Sequence, residues 1–144
     1  MSCLALHIPS NADKRSFVLQ FVEVYSKEEE RGEWDAIATC FFIDTARNII
    51  RYLEVLNHLL PIGGAWINLG PLLWHYENNG DLSIELTLEE LLDLLPKMGF
   101  EIEERKSLPP QTYTGNAKGM LTYEYHPEFW IARKVRDVQL AGAV

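Results

Sequence analysis

Residues 34–70 read WDAIATCFFIDTARNIIRYLEVLNHLLPIGGAWINLG, and the fold class can be predicted from them. It opens with an almost wholly apolar run from Trp34 to Ile43, which is typical of a strand buried on both faces of a parallel sheet. Asp44 and Thr45 follow directly, and both are residues that start helices. The apolar residues that then recur at helical spacing are Ile49, Ile50, Leu53, Leu56, Leu59 and Leu60. The pattern predicts a buried strand followed by an amphipathic helix.

The sequence also marks where this helix ends and the next strand begins. Pro61 and two glycines stop the helix, and the apolar run at residues 65–69 ends at Gly70. Strand, helix, glycine turn and strand form a βαβ unit with a right-handed crossover. The predicted fold class is therefore α/β, the later half of a doubly wound sheet. Ligands of such sheets bind beyond the carboxyl ends of the strands, here residues 40–48 and 70–79.

A second helix and a hairpin complete the pattern downstream. Thr87 and Glu90 have the spacing of a capping box. The leucines on the buried side of the helix that they open are Leu88, Leu91, Leu92, Leu94 and Leu95. The runs Phe100 to Ser107 and Leu121 to Val135 flank a segment rich in Pro and Gly. This arrangement predicts a C-terminal antiparallel hairpin beside the parallel strands.

The two ends of the chain lack this regularity. Residues 1–16 are predicted to be an irregular lead-in, and residues 136–144 a flexible tail. Phe17 to Tyr25 (FVLQFVEVY) is rich in β-branched and aromatic residues, which favours a strand or an extended segment. The single domain is therefore predicted to span residues 17–135.

The composition argues against several classes of protein. The 144 residues include 13 Lys and Arg against 21 Asp and Glu, a formal net charge of -8. A chain this acidic is unsuited to binding nucleic acid or an anionic membrane through its charge. No run approaches the roughly 18 apolar residues of a membrane helix. Cys3 and Cys40 have no metal-knuckle spacing, so we expect a reducing compartment, the cytoplasm, with the nucleus as a second location.

Several uncommon strings carry a family resemblance. They are TCFFIDTARN (39–48), GGAWINLGPLLWHYEN (63–78), TYT (112–114) and YEY (123–125). On these strings the chain closely resembles the carnosine N-methyltransferase family. The resemblance implies a Rossmann-like class I methyltransferase that uses S-adenosylmethionine to methylate an imidazole nitrogen of carnosine or a related histidine-containing dipeptide. It runs from about Phe17 to Lys134 and corresponds to the later part of the family's catalytic domain.

The resemblance also implies roles for individual residues. Those implied to bind the dipeptide are Asp44, His75, Tyr113, Tyr123, Tyr125 and Phe41. Those implied to contact the cofactor are Phe21 and Cys40. A carboxylate that accepts the imidazole N–H sets the tautomer and stabilises the positive charge that develops on the ring, which suits Asp44 to a catalytic role. The alternatives are that Asp44 caps the following helix, that His75 is an ordinary surface residue, and that the tyrosines form a plain buried strand face.

One part of the family's pattern is absent from this sequence. The family holds the cofactor with a glycine-rich loop, and no G-x-G-x-x-G string or close variant occurs here. Where the family has GDFxEVY, the chain has Leu19 and Gln20 before Phe21, which leaves Phe21 as the matching residue at the adenine end. A truncated gene model, a splice form and a degenerate paralogue all fit. The alternative functions are an inactive binding or regulatory module and a structural remnant without a ligand.

Truncation has a physical consequence for the sheet. The strand at residues 34–43 is expected to expose a long hydrophobic edge unless the lead-in covers it. We therefore predict self-association through this edge. The other partner predicted from the resemblance is a small histidine-containing dipeptide.

Overall fold

The centre of the protein is a five-stranded sheet. The structure is a computed structural model, and it describes residues 3–6, 21–78, 80, 82–112, 116 and 118–140. The strands of the sheet are β1 (Cys3–Leu6), β2 (Ala36–Cys40), β3 (Ala65–Gly70), β4 (Phe100–Ser107) and β7 (Glu128–Lys134), and their order is β1-β2-β3-β7-β4. Strands β1, β2 and β3 are parallel to one another, whereas β7 is antiparallel to both β3 and β4. The predicted α/β class with a C-terminal antiparallel hairpin is confirmed.

The hairpin is interrupted where the sequence predicts one continuous strand. Its return strand in the main sheet begins at Glu128 rather than near Leu121. Two short strands, β5 (Gln111–Thr112) and β6 (Glu124–Tyr125), form a separate two-stranded antiparallel sheet between β4 and β7 in the chain. Because Glu128 pairs with Gly70, the last residue of β3, the chain passes from β6 into β7 beside the carboxyl end of β3.

Two helices follow the parallel strands, α1 (Ile49–Leu59) after β2 and α2 (Leu88–Leu94) after β3. Both were predicted, and the capping box of α2 is present in full, with Thr87 and Glu90 each bonding the backbone of the other. The start of α1 differs from the prediction. Asn48 is its N-cap and accepts the backbone N–H of Arg51, so Asp44 and Thr45 do not cap it. Asp44 therefore lies outside the helix.

The core lies between α1 and the sheet. Its largest fully buried side chains include Trp66, Trp130, Tyr52, Phe42 and Phe100. The ring of Trp66 contacts those of Phe100 and Trp130, at centroid distances of 5.4 and 5.5 Å. Because these rings come from β3, β4 and β7, their burial holds the antiparallel half of the sheet against the parallel half.

Two predictions for the N-terminal part of the chain are wrong. Residues 21–25 are helical rather than extended. In a helix Phe21 and Tyr25 lie one turn apart, and their rings are in contact at 5.6 Å. Cys3–Leu6 form a strand within the lead-in that was expected to be irregular, and they pair with Ala36–Thr39. Tertiary pairing decides both, because aromatic and β-branched composition alone does not distinguish a strand from a buried helix.

Strand β1 also changes the prediction of an exposed edge. It covers the side of β2 that was expected to be open, and the two strands are hydrogen-bonded in parallel. The lead-in thus covers this edge of β2, the condition under which self-association was not expected, and self-association itself stays untested.

The beginning of the predicted tail is held in place. Asn57 of α1 donates to the carbonyl oxygens of Met98 and Arg136 and accepts the N–H of Val138. Arg136 and Val138 thus contact α1. The flexible tail expected at residues 136–144 stays a prediction, and residues 141–144 lie outside the described part of the chain. Across the described residues, no helix has the length and apolar character needed to span a membrane.

Candidate functional site

Strand β2 ends at a backbone turn that presents two of the predicted residues. Cys40 is the last residue of β2 and is exposed, with a free thiol. Phe41 has a φ of 50°, an uncommon left-handed conformation for a residue with a side chain. Its N–H still donates to the carbonyl oxygen of Leu69 at 2.7 Å. The left-handed turn therefore extends the contact between β2 and β3 by one residue while redirecting the Phe41 ring.

Gly70 makes room for this turn. A Cβ atom at Gly70 would lie 3.1 Å from both Cα and N of Phe41, and the φ of Gly70 is +156°. Both the space and the backbone angle favour glycine over any residue with a side chain. The glycine that ends the second predicted strand is thus a condition for the close approach of the two strand ends.

Asp44 lies just beyond this turn and is almost completely buried, with 3% of its surface exposed. It belongs to a 3₁₀ turn, Ile43–Thr45, and its Oδ2 accepts the backbone N–H of Leu73 at 3.0 Å. Its backbone carbonyl accepts the N–H of His75 at 3.1 Å. Asp44 and His75, which are distant in sequence, are therefore brought together, and the side chain of Asp44 fastens the loop that carries His75.

Further hydrogen bonds hold this loop over the Asp44 turn. The indole N–H of Trp74 donates to the carbonyl oxygen of Leu86 at 3.0 Å. Arg47 donates from Nε to the carbonyl oxygen of Leu82, and its own carbonyl oxygen accepts the N–H of Ile84. Because these bonds tie the loop at both of its ends, the backbone of His75 is positioned by the fold, although the residue itself is exposed.

The tyrosines form one wall of a cleft beside the loop. The rings of Phe41 and Tyr125 meet edge to face, with centroids 5.8 Å apart. Residues 71–73 and 123–126 line an open cleft of about 670 Å³, which we call the outer cleft. Tyr123 is 62% exposed and Tyr125 is half-buried. Tyr113 lies outside the described residues.

Leu73 connects the outer cleft to the turn that carries Asp44. Leu73 lines this cleft and also donates its N–H to the Asp44 carboxylate. A smaller cleft of about 270 Å³, the inner cleft, lies between the start of α2 and the start of β7. The two clefts share Pro71, Leu72 and His126. The structure thus joins Asp44, His75, Phe41, Tyr123 and Tyr125 in one region.

The two predicted cofactor contacts occupy very different environments. The ring of Phe21 is 2% exposed and packs against Phe42 and Tyr52, with centroid distances of 5.2 and 4.8 Å. Such a ring has almost no surface left for an adenine base. Cys40 is accessible at the end of β2. Of these two residues, Cys40 is therefore the accessible one.

Sequence reasoning missed several residues that shape this region. They are Leu73, Trp74, Leu86, Glu124 and His126. Leu73 and Leu86 act through their backbone atoms, which leave no signal in the side-chain pattern. Glu124 stands between two tyrosines that were singled out, and its position within YEY was the available signal. No group of three or more His, Cys, Asp or Glu residues suited to a metal occurs within the described part of the chain.

Comparisons with a family model and with curated proteins identify the same family. The family model described as carnosine N-methyltransferase matches residues 7–136. Carnosine N-methyltransferase of Schizosaccharomyces pombe is 44% identical, over 78% of this chain and 33% of that protein. Carnosine N-methyltransferase of Rattus norvegicus is 46% identical, over 79% of this chain and 28% of that protein. The chain therefore spans about a third of the length of these curated relatives.

Solved structures show the same fold at low sequence identity. A proposed methyltransferase from Bacillus halodurans is 12% identical with a TM-score of 0.54, covering 74% of this chain and 72% of that one. A SAM-dependent methyltransferase from Methanosarcina mazei is 14% identical with a TM-score of 0.50, covering 74% of this chain and 61% of that one. The fold is that of the Rossmann-like methyltransferases, as the sequence predicted.

Proposed function

We propose that this chain, which belongs to the carnosine N-methyltransferase family, contributes the acceptor site for a methyl transfer from S-adenosylmethionine. The proposed acceptor is an imidazole nitrogen of carnosine or a related dipeptide. The observation that carries the proposal is the buried Asp44 carboxylate, which lies beyond the carboxyl end of β2 and fastens the His75 loop. Carboxylate side chains that are buried to this extent are uncommon unless they are paired or have a function.

The chemistry asked of Asp44 follows from the structure of imidazole. One ring nitrogen carries hydrogen and the other carries a lone pair. Asp44 is 3% exposed and its Oδ2 accepts the Leu73 N–H, so the loop at Leu73 must open for the carboxylate to accept the imidazole N–H. The ring is then held in one tautomer, and its lone pair points away from the carboxylate. As the ring becomes positively charged during methylation, the nearby carboxylate stabilises that charge in a site with little water.

The surrounding residues exclude water and orient the acceptor. The rings of Phe41 and Tyr125 form an edge-to-face pair beside the outer cleft, and an aromatic wall also attracts a cationic ring. The backbone N–H of His75 donates to the carbonyl oxygen of Asp44. We propose that these residues, with Tyr123, enclose the dipeptide, while Tyr113, outside the described residues, stays a sequence-based prediction.

Fewer described residues support a cofactor site than support an acceptor site. S-adenosylmethionine supplies an electrophilic methyl group when it is bound. Cys40 is accessible at the strand end and is available to such a ligand, whereas the ring of Phe21 is committed to the core. The role proposed for this chain's residues is therefore to hold and orient the acceptor.

A methylation assay tests the proposal. The purified chain is incubated with S-adenosylmethionine and carnosine, and the N-methylated dipeptide is measured by mass spectrometry. We expect product from the chain and its loss in Asp44→Asn. Asp93→Asn, an exposed change of the same chemistry on α2, is the matched control and should retain activity. Calorimetric titration with carnosine separates a binding module from an enzyme, and absence of both product and carnosine binding would contradict the proposal.

A further inference from the structure

The outer cleft carries a charge that the acceptor site described above does not use. Of the described residues that line it, at 71–73 and 123–126, Glu124 supplies the carboxylate. His126 is the basic group, and its Nε2 lies 3.6 Å from Oε1 of Glu124. The other lining side chains are Pro, Leu and Tyr. The cleft is therefore acidic and aromatic.

A cleft of this composition favours a cationic group. Tyr123 and Tyr125 flank Glu124 in sequence and line the same cleft. A carboxylate attracts an ammonium group directly, and the face of a tyrosine ring attracts it through its quadrupole. The side chain of Glu124 is 55% exposed, which leaves it accessible to a ligand.

The position of Leu73 links this cleft to the imidazole site. The Leu73 N–H binds the Asp44 carboxylate, and the same residue lines the outer cleft. A dipeptide whose imidazole lies at Asp44 can extend past Leu73 toward this cleft. In carnosine that other end is a primary ammonium.

We propose that Glu124, with the rings of Tyr123 and Tyr125, forms a subsite for the ammonium end of the acceptor, and so selects dipeptides with a free amine. This inference rests on the proposed function, because it assumes that the imidazole lies at Asp44. Glu124 is a specificity-determining residue in this arrangement, since it contacts the substrate far from the reacting nitrogen.

The chain offers a matched control a few residues away. Glu128 lies in the inner cleft, where one carboxylate oxygen accepts Nε–H of Arg105 at 2.8 Å and the other accepts the hydroxyl of Ser107. Its charge is already paired with a guanidinium, so it has little attraction left for a second cation. Glu124→Gln and Glu128→Gln are the same chemical change at two carboxylates, one beside the His126 imidazole in the outer cleft and one hydrogen-bonded to Arg105 and Ser107.

The experiment measures binding, so it does not depend on turnover. Carnosine and N-acetylcarnosine, whose amine is neutral, are titrated into the chain without cofactor, and the dissociation constants are measured by calorimetry or NMR. We expect carnosine to bind about three- to tenfold more tightly than N-acetylcarnosine, and the preference to shrink as salt is raised. Glu124→Gln should abolish the preference, Glu124→Lys should reverse it, and Glu128→Gln should retain it. Circular dichroism confirms that each variant is folded.

The outcomes separate this inference from the proposed function. Equal binding of the two dipeptides by the unmodified chain, with affinity that still depends on Asp44, overturns the ammonium subsite and leaves the proposed function intact. An equal loss of preference in Glu124→Gln and Glu128→Gln also overturns it, since the effect would then be one of general charge. Failure of both dipeptides to bind the unmodified chain overturns the proposed function and the subsite together.

Discussion

Oδ2 of Asp44 accepts the backbone N–H of Leu73 at 3.0 Å, so one carboxylate both belongs to the proposed acceptor site and fixes the loop that surrounds it. The bond joins the turn after β2 to the loop after β3, 29 residues further along the chain. A residue with two such tasks is informative to mutate, because substitutions can separate charge from hydrogen bonding.

Asp44→Asn should separate them. The amide keeps an oxygen that can accept the Leu73 N–H, so the loop should stay in place and the melting temperature should change little. Loss of the negative charge should reduce carnosine methylation by about 100-fold or more, the range typical of a group that stabilises charge in the transition state. Asp44→Ala removes both functions and should also lower stability by about 1–3 kcal/mol. Equal activity in the Asp44→Asn variant and the unmodified protein would contradict the assigned role.

Gly70→Ala should destabilise the protein more than the same change at Gly63. Both glycines have positive φ, but a Cβ at Gly63 meets no atom within 4 Å, whereas at Gly70 it meets the backbone of Phe41 at 3.1 Å. We expect a loss of about 1 kcal/mol for Gly63→Ala and about 2–3 kcal/mol or more for Gly70→Ala. Urea denaturation measures both losses. Similar values would show that the close approach to Phe41 does not matter.

Lys134→Met should be strongly destabilising although the lysine lies far along the chain from the site. Lys134 is 2% exposed, and its Nζ donates to the carbonyl oxygens of Asn57 and Leu60 at the end of α1 and pairs with Asp137. Removing the ammonium leaves two buried carbonyls without this donor, at a cost of about 2–4 kcal/mol. Lys106→Met, at an exposed position on β4, is the control and should cost much less.

The ion pair between Lys134 and Asp137 predicts a change of stability with pH. The hydrogen bond from Lys134 and its positive charge hold the pKa of Asp137 below its usual value. A carboxyl whose folded pKa is lowered contributes stability above its unfolded pKa of about 4, and loses that contribution as the pH falls through the folded value. Denaturation at about pH 7 and about pH 3 should therefore show a smaller acid-induced loss in Asp137→Asn than in the unmodified protein. An identical loss would exclude a contribution from this pair.

Thr39→Val should destabilise the sheet through a buried network. The Thr39 hydroxyl accepts the indole N–H of Trp66 at 2.8 Å and donates to Oδ1 of Asn68 at 2.7 Å. Valine keeps the shape but removes both bonds, so a loss of about 2–4 kcal/mol is expected by thermal or chemical denaturation. Thr122→Val, at an exposed position, should be close to neutral. Equal effects would mean that the network contributes little.

The sequence alone determined the α/β class, the helix α1 with its buried stripe, the capping box of α2 and the antiparallel ending. Each of these depends on residues close together in the chain, so periodicity and turn chemistry suffice to predict them. Asp44 and His75 could be singled out from the resemblance, because their strings are long and uncommon.

Other features depended on atoms that only the folded chain brings together. Residues 21–25 are helical and Phe21 is buried because its ring meets Phe42 and Tyr52, which no local pattern indicates. The N-cap of α1 is Asn48, and this leaves Asp44 to bind Leu73 instead. The pairing of β1 with β2, the bond between Asp44 and the loop, and the cleft containing Glu124 all arise from contacts between distant segments. Backbone hydrogen bonds and the burial of a carboxylate depend on which distant segments the fold brings into contact. Residues that are neighbours in the sequence therefore do not predict these features.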